Sequence, residues 1–218
     1  MDLALDQVTV AHGEVSALLA VTERFPAGSR TQVLGPAGAG KTTLLKCLAG
    51  LTRPAAGQVR WDGADAWALP EAARVAARRA LGMVFQTDAL FDSRPVLENV
   101  AFPLLRRGVP RAEALVRARA LLAAVGLAGA EALGVEQLSG GMRKRVGLAR
   151  ALVAEPEVLL ADDPLAGLDP ASEATVLALL LGLRPGTTLL VASPRPLPLP
   201  GSRALLLEEG RAGRSEGR

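Results

Sequence analysis

Cysteine, histidine and aromatic residues are scarce in this chain of 218 residues, and tyrosine is absent. The single cysteine, Cys47, excludes an internal disulfide and suits a reducing compartment. Because Cys47 falls in a predicted helix, a small buried residue is a better interpretation than a reactive thiol. Aromatic residues make up 3 % of a chain that is 50 % hydrophobic, so we expect a core of mainly alanine, leucine and valine.

Long apolar runs and leader signals are also missing. No run approaches the ~18–20 residues needed to span a bilayer, and the strongest candidate, residues 175–183, is predicted to be a buried helix. Residues 1–6 contain no basic region and no cleavage pattern, so no signal peptide is expected. These absences predict a protein that stays in the cytoplasm.

The excess of basic residues is small and does not indicate a nucleic-acid partner. The formal net charge is +3, and the arginines are scattered along the chain. Aromatic platforms on which bases could stack are almost absent. A solvated basic surface is therefore the better interpretation, and no nucleic acid is expected as a partner.

A glycine-rich segment predicts a phosphate-binding loop. A short apolar strand ends at Leu34, and a helix is predicted for residues 43–49. Between them the pattern G-x-x-x-x-G-K-[ST] is complete, and the predicted nucleotide-binding residues are Gly35, Pro36, Ala37, Gly38, Ala39, Gly40, Lys41, Thr42 and Thr43. Backbone N–H groups and the helix dipole would face the phosphates, with Lys41 on the β- and γ-phosphates and Thr42 on Mg²⁺. A glycine-rich turn with a chance lysine is the alternative.

Two further motifs follow. Ser139, Gly140 and Gly141 begin a predicted helix, where their N–H groups and the serine hydroxyl form a second anion site. Ser139 is also an ordinary N-cap, but two following glycines are poor helix formers and need another reason. Asp162 and Asp163 end a buried strand, which indicates a bound cation or hydrogen bonds to satisfy them.

Taken together, the motifs resemble the ATPase subunit of an ATP-binding-cassette (ABC) transporter, from about Leu3 to about Gly210. The resemblance implies an α/β fold: a P-loop NTPase core with an antiparallel β subdomain and an inserted α-helical subdomain at residues 88–137, all within a single domain, 1–218. It implies ATP and Mg²⁺ as cofactors. It also implies a peripheral position on the inner face of the cell membrane, beside an integral membrane permease subunit.

The resemblance also assigns roles to single residues. Gln86 would touch Mg²⁺ and the water near the γ-phosphate, Asp162 would hold Mg²⁺, and His12 would stack on adenine unless it is only an exposed turn residue. Ser139 to Gly141 would close on ATP held by a second ABC ATPase subunit, in a homodimer or a heterodimer. Residues 166–169 resemble the loop that crosses to that partner.

The chain departs from the family pattern at two positions. The family places glutamate, as general base, where Asp163 stands, and a γ-phosphate-binding histidine where Ser193 stands. These substitutions predict slow hydrolysis of ATP. The chain also ends soon after its last motif, so no regulatory domain is expected at its C-terminus, and residues 211–218 are predicted to be frayed.

A finer likeness concerns the cargo. Residues 85–93 and 98–104 resemble ATPases of the lipid-asymmetry and mammalian-cell-entry transporters, and so do residues 138–152 with Met142 and the basic run 143–145, which implies a phospholipid. The sequence leaves three interpretations open. They are an energising ATPase of a lipid-type transporter, a weakly hydrolytic subunit that pairs with a competent ATPase, and a soluble ABC protein without a transporter. The third usually has two cassettes or a coiled-coil insertion, and this chain has neither.

Overall fold

Two units divide the part of the chain that the structure, a computed structural model, describes: residues 1–13, 15–87 and 89–214. Unit 1 contains Met1–Leu81, Glu157–Asp163 and the described residues from Arg184 onward. Unit 2 contains Gly82–Pro156 and Pro164–Leu183. Strands predominate in unit 1 and helices in unit 2.

The elements alternate in the way the sequence predicts. In chain order they are β1 Leu3–His12, β2 Val15–Phe25, β3 Arg30–Leu34, α1 Lys41–Leu48, β4 Ala56–Trp61, β5 Ala64–Asp65, α2 Glu71–Ala77, β6 Leu81–Val84, α3 Val96–Arg106, α4 Arg111–Ala124, α5 Gly140–Leu152, β7 Val158–Asp162, α6 Pro170–Leu181, β8 Thr188–Ser193, β9 Arg203–Glu208 and β10 Arg211–Arg214. Short 3-10 helices occupy Arg78–Ala80 and Val135–Gln137.

Unit 1 contains an antiparallel sheet with the strand order β2-β1-β4-β5. It also contains the strands β10-β9-β3-β8-β7, in that spatial order, in which β3 runs parallel to both β8 and β9. Every residue of β7 and β8 is buried, as expected of continuous apolar runs in a parallel sheet. The helix α1 packs against these two strands.

The register of the parallel strands fixes where polar residues meet. Leu34 at the end of β3 pairs with Ser193 at the end of β8, and Asp162 at the end of β7 pairs with Ala192. The carboxyl ends of parallel strands share one edge of a sheet, so the segments that follow β3, β7 and β8 come together.

Unit 2 has a core built by α3, α4 and α5. Its fully buried residues include Val100, Leu104, Leu122 and Val146, which come from all three helices. In α6, Ser172, Val176 and Leu180 are buried while Leu181 is 41 % exposed. The helix predicted within residues 175–183 therefore buries only one face. Among the described residues, no helix is both long and apolar enough to cross a membrane.

Several sequence predictions need correction or remain predictions. The frayed tail is wrong for Arg211–Arg214, because these residues pair antiparallel with β9 as β10, and residues 215–218 lie outside the described chain. The patterns also missed β5 and β9. The helical insertion 88–137 stays a prediction; α3 and α4 fall within it, and Asp88 lies outside the described residues.

Candidate functional site

The loop between β3 and α1 requires glycine at two of its positions. Gly40 caps α1 with φ 100°, and a Cβ added there would meet the carbonyl oxygen of Ala17. Gly35 has φ 158°, and a Cβ there would meet the carbonyl oxygen of Leu207. Both the left-handed backbone and the close neighbours therefore require glycine. The loop leads directly into the first turn of α1, where backbone N–H groups can bind an anion. That turn contains no acidic residue that would repel it.

Lys41 reaches back over this loop. Its Nζ donates to the carbonyl oxygens of Gly35 and Pro36, each at 2.7 Å. The ammonium is therefore held at the loop by its own backbone, as expected of a cation that faces bound phosphates. Ala37, Ala39 and Thr43 complete the predicted segment.

Asp162 lies next to Thr42, although the two residues are far apart in the chain. Burial raises the pKa of the Asp162 carboxyl, which is 3 % exposed, and the Thr42 hydroxyl opposes this by a hydrogen bond. The neighbouring Asp163 carboxylate raises the same pKa, and Lys46 and Lys41 lower it. An ionised Asp162 is thus disfavoured by burial, which a bound cation would offset.

The pair formed by Thr42 and Asp162 fits Mg²⁺. The described residues contain no cluster of three or more His, Cys, Asp or Glu side chains for a metal. Mg²⁺ needs none beside substrate phosphates, because one or two carboxylates, a hydroxyl and the phosphates with water complete its shell. Thr42 and Asp162 would hold the ion.

Asp163 and Ser193 lie at the same edge of the sheet. Asp163 has a left-handed backbone, φ 47°, and its N–H donates to the carbonyl oxygen of Ala192 at 2.9 Å. Ser193 is 2 % exposed, and its Oγ accepts the N–H of Arg195 at 3.3 Å. The serine hydroxyl is thus engaged in the turn after β8. The catalytic roles expected for both residues remain predictions.

Gln86 and His12 are the remaining residues predicted to take part in the site. Gln86 is exposed and follows β6 in unit 2. His12 ends β1, where its backbone pairs with Val15. The roles of Gln86 in holding Mg²⁺ and water, and of His12 in stacking on adenine, remain predictions.

The second predicted anion site begins α5 in unit 2. Ser139 is the N-cap, and its Oγ accepts the N–H of Met142 at 3.2 Å. Ser139 and Gly140 are exposed, and the first turn contains no acidic residue. The helix start therefore leaves N–H groups available to an anion outside the chain.

Sequence reasoning missed Lys46 and Lys144. Lys46 lies one helical turn after Thr42 and acts on the Asp162 carboxyl, so the i,i+4 spacing within α1 was a usable signal. Lys144 is 6 % exposed, and its Nζ donates to the carbonyl oxygen of Ala166 at 3.0 Å. No local pattern indicates that contact, because its acceptor is a backbone atom in a distant turn.

Comparison with known sequences agrees with this geometry. Residues 18–166 match the ABC transporter family. The chain is 50 % identical over 170 residues to the methionine import ATP-binding protein MetN of Thermobifida fusca (strain YX), over 78 % of this chain and 53 % of that protein. It is 46 % identical over 186 residues to the MetN protein of Myxococcus xanthus (strain DK1622), over 84 % of this chain and 56 % of that protein. The chain thus spans about half the length of the curated relatives it matches.

Solved structures share the fold. The dimeric structure of MJ0796, described as a bacterial ABC transporter cassette, has a TM-score of 0.90 at 29 % identity and covers 99 % of this chain and 100 % of its own. The dimeric MJ0796 structure in a post-hydrolysis state with ADP and Pi has a TM-score of 0.88 at 30 % identity and the same coverage.

This chain belongs to the ABC transporter family, and the predicted P-loop ABC ATPase fold is confirmed. The relatives named above are methionine import proteins, so the expected likeness to lipid-asymmetry and mammalian-cell-entry ATPases is not supported.

Proposed function

We propose that this chain is the ATP-binding subunit of an ABC transporter, peripheral on the inner face of the cell membrane, where it binds and hydrolyses Mg-ATP to drive an integral membrane permease. The observation that carries the proposal is the proximity of the Thr42 hydroxyl to the buried Asp162 carboxyl, whose pKa it lowers, in the unit whose loop holds Lys41. This proximity brings together Thr42 and Asp162, which come from distant parts of the chain and would hold the metal beside the nucleotide.

The predicted site residues have different roles at the phosphates. The loop N–H groups and Lys41 bind the phosphate oxygens, while Thr42 and Asp162 hold the metal. Mg²⁺, when bound, neutralises charge on the phosphates. Asp163 accepts the proton of the attacking water, and Gln86 orients that water. Asp163 has one methylene less than glutamate, which makes it the residue that limits the rate.

We place the working site between two ABC ATPase subunits. The exposed start of α5, Ser139 to Gly141, would close on the ATP held by the other subunit. Two solved structures of one cassette, MJ0796, which is about 30 % identical to this chain, are dimeric, and one contains ADP and Pi, which supports this assembly. A homodimer requires nothing beyond this chain, and a heterodimer with a more competent ATPase is the alternative.

For the cargo, we favour a small amino acid such as methionine over a phospholipid. The methionine import relatives are 50 % and 46 % identical to most of this chain. The phospholipid hypothesis depends only on a likeness of the segments from Phe85 to Leu104 and from Leu138 to Leu152. Reconstitution of the chain with its copurified permease, followed by uptake of labelled methionine and transfer of labelled phospholipid, separates the two cargoes.

The nucleotide site is tested first, with the purified chain and a fluorescent ATP analogue. Lys41→Ala removes the side-chain cation that donates to the loop carbonyls of Gly35 and Pro36. Loss of a charge partner costs about 2–5 kcal/mol, so we expect Mg-ATP to bind at least about 30-fold more weakly. Arg119→Ala, at an exposed position of α4, is the control. Equal affinity of wild type and Lys41→Ala would refute the site, and copurification without a membrane subunit would refute the transporter role.

A further inference from the structure

The turn between β7 and α6 is held by hydrogen bonds at both of its ends. The N–H of Leu168 donates to the carbonyl oxygen of Leu165 at 3.2 Å, and Gly167 between them has φ 72°. Asp169 caps α6 by accepting the N–H groups of Ala171 and Ser172 at 3.1 and 3.0 Å. Ala166 and Gly167 at the tip are nevertheless exposed. Unit 2 thus contains a short, hydrogen-bonded turn with an exposed tip, which we call the projecting turn.

Lys144 ties this turn to α5. The residue lies in the second turn of the helix, and only 6 % of it is exposed. Its Nζ donates to the carbonyl oxygen of Ala166, at the tip of the turn, at 3.0 Å. A buried ammonium has a large desolvation cost, and methionine would fill a similar volume without it. Packing alone therefore does not account for a lysine here.

The first turn of α5 also lies close to the same turn. A Cβ added to Gly141, in that first turn, would lie 3.4 Å from Cδ2 of Leu168, so there is room for little more than a glycine between the two segments. The start of α5 and the projecting turn are therefore joined by the hydrogen bond from Lys144 and lie close together at Gly141 and Leu168. Together they form a single exposed patch with Ser139 and Gly140 on one side and Ala166 and Gly167 on the other, which we call the helix–turn surface.

We propose that Lys144 is a positioning residue that locks the projecting turn against α5, so that the helix–turn surface is preformed for a second copy of this chain. The inference rests on the proposed dimer function and gives a structural cause for the affinity between the two copies. Its occupant is a second copy because the solved cassette MJ0796, whose two structures each cover 99 % of this chain, is dimeric. Small, uncharged residues at the tip allow close approach of another backbone.

The physical benefit is preorganisation. Two loose segments lose conformational entropy when they dock, and that loss weakens association. A hydrogen bond from a charged donor removes part of this loss in advance, because the turn is already ordered in the monomer. Without the bond, the dimer should weaken about tenfold, which is the lower end for losing a hydrogen bond to a charged group.

The test measures the dimer dissociation constant by sedimentation velocity with saturating Mg²⁺ and a slowly hydrolysed ATP analogue. The variants are Lys144→Met, which keeps the bulk without a donor, and Lys144→Gln, which restores a neutral donor; Arg119→Met is the surface control. We expect about tenfold weaker dimerisation for Lys144→Met, most of it recovered in Lys144→Gln. Nucleotide affinity of the dilute monomer should stay unchanged, which excludes a general loss of folding, and recovery in Lys144→Gln separates the lost donor from a local packing defect.

Leu168→Ala provides a second route if Lys144→Met does not fold. It loosens the turn at a half-buried position and should weaken the dimer about threefold with unchanged monomer binding. The inference is overturned if Lys144→Met dimerises as tightly as wild type. It is also overturned if the Lys144→Met monomer loses nucleotide affinity in parallel. If Lys144→Met does not fold, wild-type dimerisation by Leu168→Ala overturns it. A wild-type chain that binds nucleotide but never dimerises overturns the dimer function as well, so the two failures are distinguishable.

Discussion

Replacement of Asp162 by asparagine should change stability in opposite directions with and without Mg-ATP. Burial raises the pKa of this carboxyl, which is 3 % exposed, so the empty site disfavours its ionised form. Asparagine keeps the shape and an oxygen for the Thr42 hydroxyl but carries no charge. We expect Asp162→Asn to be more stable than wild type without nucleotide by about 0.5–2 kcal/mol, as is common when functional strain is relieved. That corresponds to a melting temperature about 1–8 °C higher.

With Mg-ATP the order should reverse. A ligand at a hundred times its Kd stabilises the folded state by about 2.7 kcal/mol, which for a chain of this size raises the melting temperature by about 5–11 °C. Asp162→Asn cannot offset the charge of Mg²⁺, so at the same concentration its shift should be less than half as large. ATP with a chelator should give both proteins the same smaller shift.

The pH dependence has a definite sign. A carboxyl whose pKa is raised in the folded state binds its proton more tightly there than in the unfolded chain, where the ordinary value is 3.8. Its contribution to stability is full below that value and is lost as the pH rises through the raised pKa. The advantage of Asp162→Asn should therefore be largest near neutrality and shrink as the pH falls through the raised pKa.

Scanning calorimetry of wild type, Asp162→Asn and the exposed control Asp92→Asn measures all three effects. Subtraction of the control removes general acid effects. A nucleotide-free Asp162→Asn protein that melts below wild type, or one that keeps the full Mg-ATP shift, would show that Asp162 is a structural acid and that the proposed metal site is wrong.

Three further predictions concern single residues. Asp163→Glu extends the carboxylate by about 1.5 Å and should raise steady-state phosphate release about tenfold; an unchanged or lower rate would show that Asp163 is already a competent base. Gly40→Ala should abolish Mg-ATP binding in a titration, because its Cβ would meet the Ala17 carbonyl oxygen, whereas Gly38→Ala, where φ is 77° and strains an alanine but nothing lies within 4 Å, should lose less. Asn99→Ala should lower stability by about 1–3 kcal/mol, since this fully buried amide makes four hydrogen bonds to the backbone around it; an unchanged thermal melt would contradict this.

The phosphate loop was predictable because every part of it is contiguous. A strand, the glycine-rich loop and Lys41 follow one another, and the positive φ values that the glycines supply are a local backbone property. Asp162 was predictable for a related reason, since an acid that ends a buried strand needs a partner nearby. The identity of that partner, Thr42, depends on how the strands are ordered in the sheet, and composition does not reveal strand order.

Other parts depended on contacts across the chain and escaped prediction. The strands β9 and β10 pair with each other and β9 pairs with β3, so their existence is decided by tertiary pairing rather than by local alternation. The role of Ser193 at the γ-phosphate stays a prediction, but the contact of its hydroxyl oxygen with the N–H of Arg195 in the following turn was not predicted. A sequence pattern fixes the position of such a residue but not the atom that its side chain bonds.

The division of the chain into two units makes the two proposed halves of the site separately testable. Lys41, Thr42 and Asp162 all belong to unit 1, while Ser139 and Lys144 belong to unit 2. If each copy binds ATP through unit 1 and meets its partner through unit 2, changes at Lys41 should weaken both monomer binding and dimerisation. Changes at Lys144 should weaken dimerisation alone, because no residue of unit 2 is needed to bind the phosphates in the monomer. A Lys144 variant with weakened monomer binding would therefore mean that one copy completes its own site, and the trans arrangement would have to be abandoned.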